Sequence, residues 1–558
     1  MKITITKENI NNLEKLLLSG KNEALENTIE KFDKYNFSHP AVQMIYAASK
    51  SMKPNSSIKD KKIAFDIYLN YFKKNNKFVK ALYNACSLSF EINEYSNLLL
   101  VLKDYIKNNP YDGKIFEALY KIYNHLVEID ISIYYLKIIT KKEPFNYNAW
   151  SALIFSLNYK SKTNQKEYLK NCSNFEKNIK KYSKFNEKIK NKKKIRLAFI
   201  TPFFDGNSID GFLRGLLKNI NNKIFQSISF NLNSSDEKSD HLKNYFDEWY
   251  HVYNYNDEDL INYIRNKEID IIIDLAGYGP NNRLTIFKNR VAHLQMLWLG
   301  YCNSLGLKEI DYILTDKNLI KSNENNDYTE KPLYLKNIWN CHEKISEKIA
   351  VNDLPFYKEK IFTFGSFNNF SKINKEVIKV WSKILLETNS RLILKSSLKI
   401  SAEKIENLKN KFPKKKISNE KIIFYSGQEK KEDHLKKYHE IDICLDTFPY
   451  PGVTTTFEAI WMGVPVLTLK GNNFVSRCGE SINKNLKLEK FLANSKSDYI
   501  SKAKKISKDF SYLSKLRSEL REMAILSPLF DTKDFAADFG EKLEQVWKDY
   551  CRNSKKIN

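Results

Sequence analysis

The feature that most restricts this chain is a self-similarity with a period of 34 residues in its first third. Asn109-Pro110 ends one helix-turn-helix segment, and Glu143-Pro144 ends the next, 34 positions later. The same shift superposes Leu82, Phe116 and Trp150, then Ala85, Leu119 and Leu153, and also Leu102 and Leu136. Proline suits the end of each second helix, because it has no N–H to donate and its ring clashes with the preceding turn. A helix pair of this kind has an apolar face that only a neighbouring pair can cover, so the units must stack.

A 34-residue helix-turn-helix period is the tetratricopeptide spacing. Two units stand out, 77–110 and 111–144, with degenerate ones on either side; Ile63 to Asn76 keeps the second-helix pattern weakly. The stacked array predicts either a concave surface for a protein or peptide or a structural cap on a catalytic part.

The texture changes after the basic run Lys190 to Lys194. Lys194 to Thr201 is rich in β-forming residues and stops at Pro202, and Gly211 to Asn219 reads as the start of a helix. Ile269 to Leu275 is a near-continuous apolar run of the kind that parallel strands buried on both faces require. The pattern restarts after about residue 345, with strands expected at Lys360 to Thr363, Arg391 to Leu394, Lys421 to Tyr425, Ile441 to Leu445 and Val464 to Leu469. Helices are expected at Lys375 to Leu386 and Thr455 to Met462. Strands alternating with helices imply parallel sheets wrapped by helices, here two doubly wound halves facing a cleft. The expected division is a helical repeat region with linker over 1–190, a first α/β half over 191–345 and a second over 346–558.

The formal charge is +26, from 92 Lys+Arg against 66 Asp+Glu. Those lysines are scattered and travel with Asn, Ile and Tyr, which fits solvated positions in a compositionally biased chain rather than a nucleic-acid footprint. The seven cysteines are far apart and include no CxxC pair, so neither a disulfide framework nor a zinc site is expected. The first residues lack the apolar core of a signal peptide, and no run of about 18 apolar residues suggests a membrane span. A cytoplasmic protein with no membrane partner is the expectation.

Leu445 to Gly471 carries the chemistry. Asp446 ends a strand, Pro449 to Gly452 make a tight turn, and Thr454, Thr455 and Thr456 open a helix. Free backbone N–H groups, the positive helix end and three hydroxyls together make a phosphate site, although a plain capped helix has the same letters. Glu458 lies in the first turn, placed to accept from ribose hydroxyls. In Gly365 to Asn374, at another strand's carboxyl end, Lys372 could neutralise a departing diphosphate; the alternative is a surface lysine.

These segments, with Ile269 to Asp316, Ser476 to Ile482 and the final SPLFDTKDFAADFGEKLEQVW, resemble the O-linked N-acetylglucosamine transferase family in order and spacing over about 194–548. That family includes the SPINDLY-type O-fucosyltransferases and many bacterial members. The resemblance implies an inverting, metal-independent GT-B transferase with no cofactor beyond its UDP- or GDP-linked sugar donor. It implies transfer of a GlcNAc-like or fucose-like sugar to a protein Ser or Thr hydroxyl, with the acceptor held by the repeats. Carried over by position, Lys372 contacts the diphosphate, Thr454 and Thr455 hold phosphate, Glu458 binds ribose and His434 lies against the base. Asp446 and Arg477 also match family positions. Where the family has a histidine near acceptor and sugar this chain has Asn207, which cannot act as a base; Asp205 and Asp210 are the nearby candidates. GYCNSLG replaces the family's GYPGTSG-like loop, and Val453 precedes the threonines. These departures keep open a second reading, a degenerate transferase fold serving as a protein-binding scaffold.

Overall fold

The computed structural model describes residues 5–32, 37–160, 164–190, 192–206, 208–396, 400–414, 416–427 and 430–557. It divides into two compact units, one of Met1–Ile139 with Ser401–Asn407 and one of Thr140–Ile400 with Leu408–Asn558.

Within the first unit, successive helix pairs reproduce the sequence period. Val79–Ile92 and Ser96–Asn108 form one pair, and Gly113–His125 and Ile129–Lys142 the next. The residues superposed by the 34-residue shift are the buried ones: Leu82, Ala85, Leu102, Leu119 and Leu136 are fully buried and Phe116 nearly so. Asp112 caps its helix by accepting from the Ile115 amide at 3.3 Å. Further toward the N-terminus, Leu13, Leu25, Ile29, Val42 and Ile45 make a separate small core.

Helices Tyr147–Leu157 and Gln165–Lys177 continue the helical phase but belong to the second unit, so the compact division falls at Thr140 rather than near residue 190. A buried polar network explains why. Asn158 donates to the Tyr301 hydroxyl at 2.9 Å, and the Tyr168 hydroxyl lies 2.6 Å from that of Tyr301 and donates to the Ser304 carbonyl at 2.8 Å. Buried groups of this kind must be satisfied together, which fixes the two helices to the α/β part.

The rest of the second unit is two parallel sheets. The first contains β1 (Ile195–Thr201), β2 (Phe225–Asn231), β3 (Glu248–His251), β4 (Ile271–Asp274), β5 (Leu294–Leu297), β6 (Tyr312–Thr315) and β7 (Lys331–Tyr334), in the order β3-β2-β1-β4-β5-β6-β7. The second contains β8 (Thr363–Ser366), β9 (Arg391–Ser396), β10 (Ile422–Ser426), β11 (Ile443–Leu445), β12 (Val466–Leu469) and β13 (Leu492–Ala493), in the order β10-β9-β8-β11-β12-β13. This is the expected pair of Rossmann-like halves in a GT-B arrangement. The strand order reverses between β1 and β4 and again between β8 and β11, and such switch points are where doubly wound sheets open a crevice.

One strand is displaced from its expected place. Lys360 has φ 58° and closes the short helix Phe356–Glu359, so β8 starts at Thr363 instead. Strands β2, β3, β5, β6, β7 and β13 add to those expected. In β2 the buried positions include Ser227, Ser229 and Asn231, which blurs its apolar signal. The last helix, Thr532–Ile557, returns to the first half: the rings of Phe539 and Trp298 lie 4.9 Å apart, and the Lys336 amide donates to Asp538 at 2.7 Å. No helix of the described residues is long and apolar enough to cross a membrane.

Helix Asp210–Leu217 comes after β1 and is packed against His342, whose ring fills the space that a Cβ at Gly211 would need. Burial holds the His342 imidazole neutral, down at about 4, and its Nδ1 donates to the Glu343 carbonyl at 2.5 Å. Gly211→Ala should therefore force the ring or the helix aside and cost about 1–3 kcal/mol. A thermal melt should show the midpoint falling by several degrees, and an unchanged midpoint would contradict this packing.

Candidate functional site

The carboxyl ends of β8 and β11, the two strands flanking the switch point of the second sheet, present most of the residues expected from sequence. After β11 the chain makes the turn Thr447 to Gly452, which includes a cis peptide at Phe448-Pro449, and enters helix Thr454–Trp461. Asp446 holds this turn shut. It is buried, and it accepts from the Gly452 amide at 2.7 Å, Thr468 Oγ1 at 2.8 Å, Asn368 Nδ2 at 3.0 Å and its neighbour Thr447 N at 3.0 Å. Burial pushes its carboxyl up from the usual range, while these donors and Lys372 pull it back. Each of these bonds is internal, which makes Asp446 a fastening for the turn.

Helix Thr454–Trp461 starts without a side-chain cap, because Val453 stands at the N-cap. The first amides of a helix have no intrahelical acceptor, so they point outward with the partial positive charge of the helix end. A Cβ at Gly452 would lie 2.5 Å from Thr455 Oγ1 and 2.6 Å from Asn368 Oδ1, so only glycine lets the turn come this close to the helix. Thr455 donates to Asn368 Oδ1 at 2.6 Å, Thr456 is buried, and Thr454 donates across the cleft to the Ser208 carbonyl at 3.2 Å. Ser208 lies in the loop after β1, at the switch point of the other sheet. The two switch points therefore meet at one hydroxyl.

Lys372 ends the 3₁₀ turn Phe370–Lys372 after β8. Its ammonium donates to the Pro451 carbonyl at 2.7 Å and sits 4.0 Å from the centre of the Tyr450 ring. Tyr450 stacks in turn on Tyr159, with ring centres 5.5 Å apart. Burial lowers the lysine to about 8, with Asp446 opposing that shift. It thus remains charged at neutral pH, positioned by a carbonyl and an aromatic face rather than neutralised by an ion pair. From helix Thr454–Trp461, Glu458 Oε2 pairs with His434 Nε2 at 3.1 Å, and the His434 ring lies 5.7 Å from that of Phe367.

The remaining sequence candidates lie in two other places. Arg477 is buried and fully occupied, bonding Glu324 at 2.5 and 2.8 Å, the Leu319 carbonyl at 3.0 Å and the Gly471 carbonyl at 3.0 Å. It joins the second half to the first. Asp205 and Asp210 lie in and just after the β1 loop; Asp205 is half-buried, and Asp210 is buried against His241. Asn207 lies outside the described residues. Among the described residues no group of three or more His, Cys, Asp or Glu could hold a metal ion.

Sequence reasoning does not single out Asn368, Tyr450 or His241. Asn368 and Tyr450 stand inside motifs whose informative letters are a lysine and a turn. His241 sits in a polar stretch, SSDEKSDHLK, that carries no motif.

This geometry has counterparts. The family model described as glycosyl transferase family 41 matches residues 169–346 and 340–539. The chain belongs to glycosyl transferase family 41. A probable UDP-N-acetylglucosamine–peptide N-acetylglucosaminyltransferase SPINDLY of Solanum lycopersicum is 30% identical over 364 residues, covering 64% of this chain and 39% of that protein. The protein of the same description from Hordeum vulgare is 32% identical over 304 residues, 54% of this chain and 32% of its own. The chain thus spans less than half the length of these relatives. The solved structure of a mutant Thermobaculum terrenum O-GlcNAc transferase shares the fold, with TM-score 0.78 at 22% identity over 92% of this chain and 98% of that one.

Within this family 41 site, Asp446→Ala would leave the Gly452 amide and the Asn368 and Thr468 side chains without their acceptor. A loss of about 3 kcal/mol is expected, since each buried donor left unsatisfied costs about 1–3 kcal/mol. Urea unfolding should show the midpoint falling; a variant as stable as the parent would mean that the turn does not depend on this carboxylate.

Proposed function

We propose that this chain is a protein glycosyltransferase that moves a sugar from a nucleoside-diphosphate donor to a Ser or Thr hydroxyl. The observation that carries the reading is the cluster of Lys372, the amide end of helix Thr454–Trp461 and the His434–Glu458 pair at a single switch point. A diphosphate laid on this helix end meets outward amides, the hydroxyls of Thr454 and Thr455, and one ammonium. Together these stabilise the charge that develops as the leaving group departs. The His434–Glu458 pair, at the same helix, offers a ring face for a base and a carboxylate for ribose hydroxyls. Asp446 and Arg477 take positioning roles, through the turn and through the first half.

The peptide acceptor is inferred from the relatives' descriptions and from the helical repeats of the first unit. Their names give UDP-N-acetylglucosamine as donor, and the motif form TTTxE allows a GDP-linked sugar equally. An inverting displacement, with the acceptor hydroxyl attacking opposite the diphosphate, follows from the family likeness and needs no metal.

Calorimetry with a panel of UDP- and GDP-sugars should give tight binding to one donor. Lys372→Ala should weaken it by about 10–100-fold, the loss of one charge-assisted hydrogen bond. The anionic donor selects the protonated lysine. Affinity should therefore be flat below about pH 7 and fall by up to about tenfold per unit above the lysine value of about 8. Absence of binding to every donor would overturn the reading and leave a protein-binding scaffold as the better account.

A further inference from the structure

A transferase that attacks through a hydroxyl must dispose of its proton, and Asn207 offers no base. We propose that His241, held by Asp210, takes the proton from the acceptor hydroxyl. The inference rests on the transferase reading and assigns its missing base.

Asp210 opens helix Asp210–Leu217, two residues beyond Ser208, whose carbonyl receives the Thr454 hydroxyl at 3.2 Å. The β1 loop that leads into Asp210 therefore borders the place where the diphosphate would lie. The Asp210 carboxyl is buried; its Oδ2 bonds His241 Nε2, and among the described residues no donor reaches its Oδ1. Charged groups around it are Arg214 one turn along the same helix, Asp205 on the β1 loop and His241 itself. Burial and Asp205 push the carboxyl up, while His241 and Arg214 pull it back.

His241 comes from the short helix Asp240–Lys243, in the connection after β2, the strand next to β1. That segment is pinned from several sides. Asn231 donates to Asp236 at 2.9 Å and to Ser239 at 3.1 Å, Trp249 donates to Asp236 at 2.9 Å, and Lys243 pairs with Asp236 at 2.6 Å. The imidazole side chain is nevertheless 35% exposed, so a substrate hydroxyl can reach it.

The chemistry depends on which nitrogen is engaged. An Asp210 carboxylate accepting Nε2–H fixes the tautomer in which Nδ1 carries a lone pair. A carboxylate behind an imidazole orients the ring and stabilises the imidazolium that forms. As sugar transfers, the acceptor oxygen bonds the anomeric carbon while the carbon–phosphate oxygen bond breaks, and the diphosphate leaves with that electron pair beside Lys372. The hydroxyl proton passes to Nδ1 of His241, and Asp210 stays ionised.

The test uses the full chain, the donor selected by calorimetry and a mixture of Ser/Thr peptides, read as nucleoside diphosphate released. His241→Gln keeps a donor for Asp210 and should bind the sugar donor as the parent does, while transfer falls by about 10²-fold or more. Added imidazole should restore part of the rate of His241→Ala. Asp210→Asn should lower kcat with the donor KM unchanged. If the parent transfers sugar and His241→Gln stays within about threefold of it, His241 is a structural partner of Asp210 and the inference fails, with the transferase reading intact. A parent that binds donor but releases no diphosphate, even to water, also overturns the inference. A parent that binds no donor overturns the transferase reading itself.

Discussion

The candidate site depends on one buried carboxylate. Asp446 sits where β11 ends, and its two oxygens receive the amide of Gly452, the side chain of Asn368 from the β8 loop and the hydroxyl of Thr468 from β12. Three segments that are distant in sequence are thereby fixed to one point. Asn368 passes the constraint on to Thr455, and the closed turn presents the Pro451 carbonyl that holds Lys372. A charge buried in this way is tolerated because each bond repays part of its lost hydration, and removing one partner leaves others stranded. The site therefore behaves as a single unit, with its lysine, threonines and turn placed together or not at all.

The relation between the two halves rests on a second set of buried polar contacts, set apart from the threonines. Arg477 bonds Glu324, Ser481 donates to Asp316 at 2.7 Å, and the Phe474 amide donates to the Tyr328 hydroxyl at 2.9 Å. These contacts lie along helix Phe474–Asn485, and the last helix adds cover to the first sheet. Against this framework the Thr454–Ser208 bond is a lighter link, one hydroxyl across the mouth of the cleft. The polar groups at this mouth are held in place by other bonds of the fold, so few side chains there are left to be ordered.

Much of this is legible in the sequence. The 34-residue shift picks out Leu82, Ala85, Leu102, Leu119 and Leu136, each of which is buried. The long apolar run at Ile269 marks a central parallel strand, and the Gly-Val-Thr-Thr-Thr stretch marks a helix start after a turn. Strand β8 is displaced because a left-handed Lys360 is invisible to periodicity. Tyr450 reads only as part of a turn, since nothing local announces that a ring will lie beneath an ammonium. His241 escapes notice for the same reason. Its partner Asp210 is 31 positions away, and the pair exists because β1 and β2 lie side by side.

By itself the sequence determined the repeat period of the first third, the central strands of both sheets and the turn that runs into helix Thr454–Trp461. Those properties arise from local periodicity, glycine and hydroxyl placement. Tertiary structure alone decided where the helical phase stops being a separate unit. Tyr147–Leu157 and Gln165–Lys177 join the α/β part through the buried Asn158, Tyr168 and Tyr301 hydrogen bonds, which no repeat pattern encodes. It also decided which of the chain's many polar residues acquire a chemical setting. Burial of Lys372, Asp210 and Asp446 depends on segments brought together by sheet order, and desolvation, unlike composition, is a property of the assembled neighbourhood.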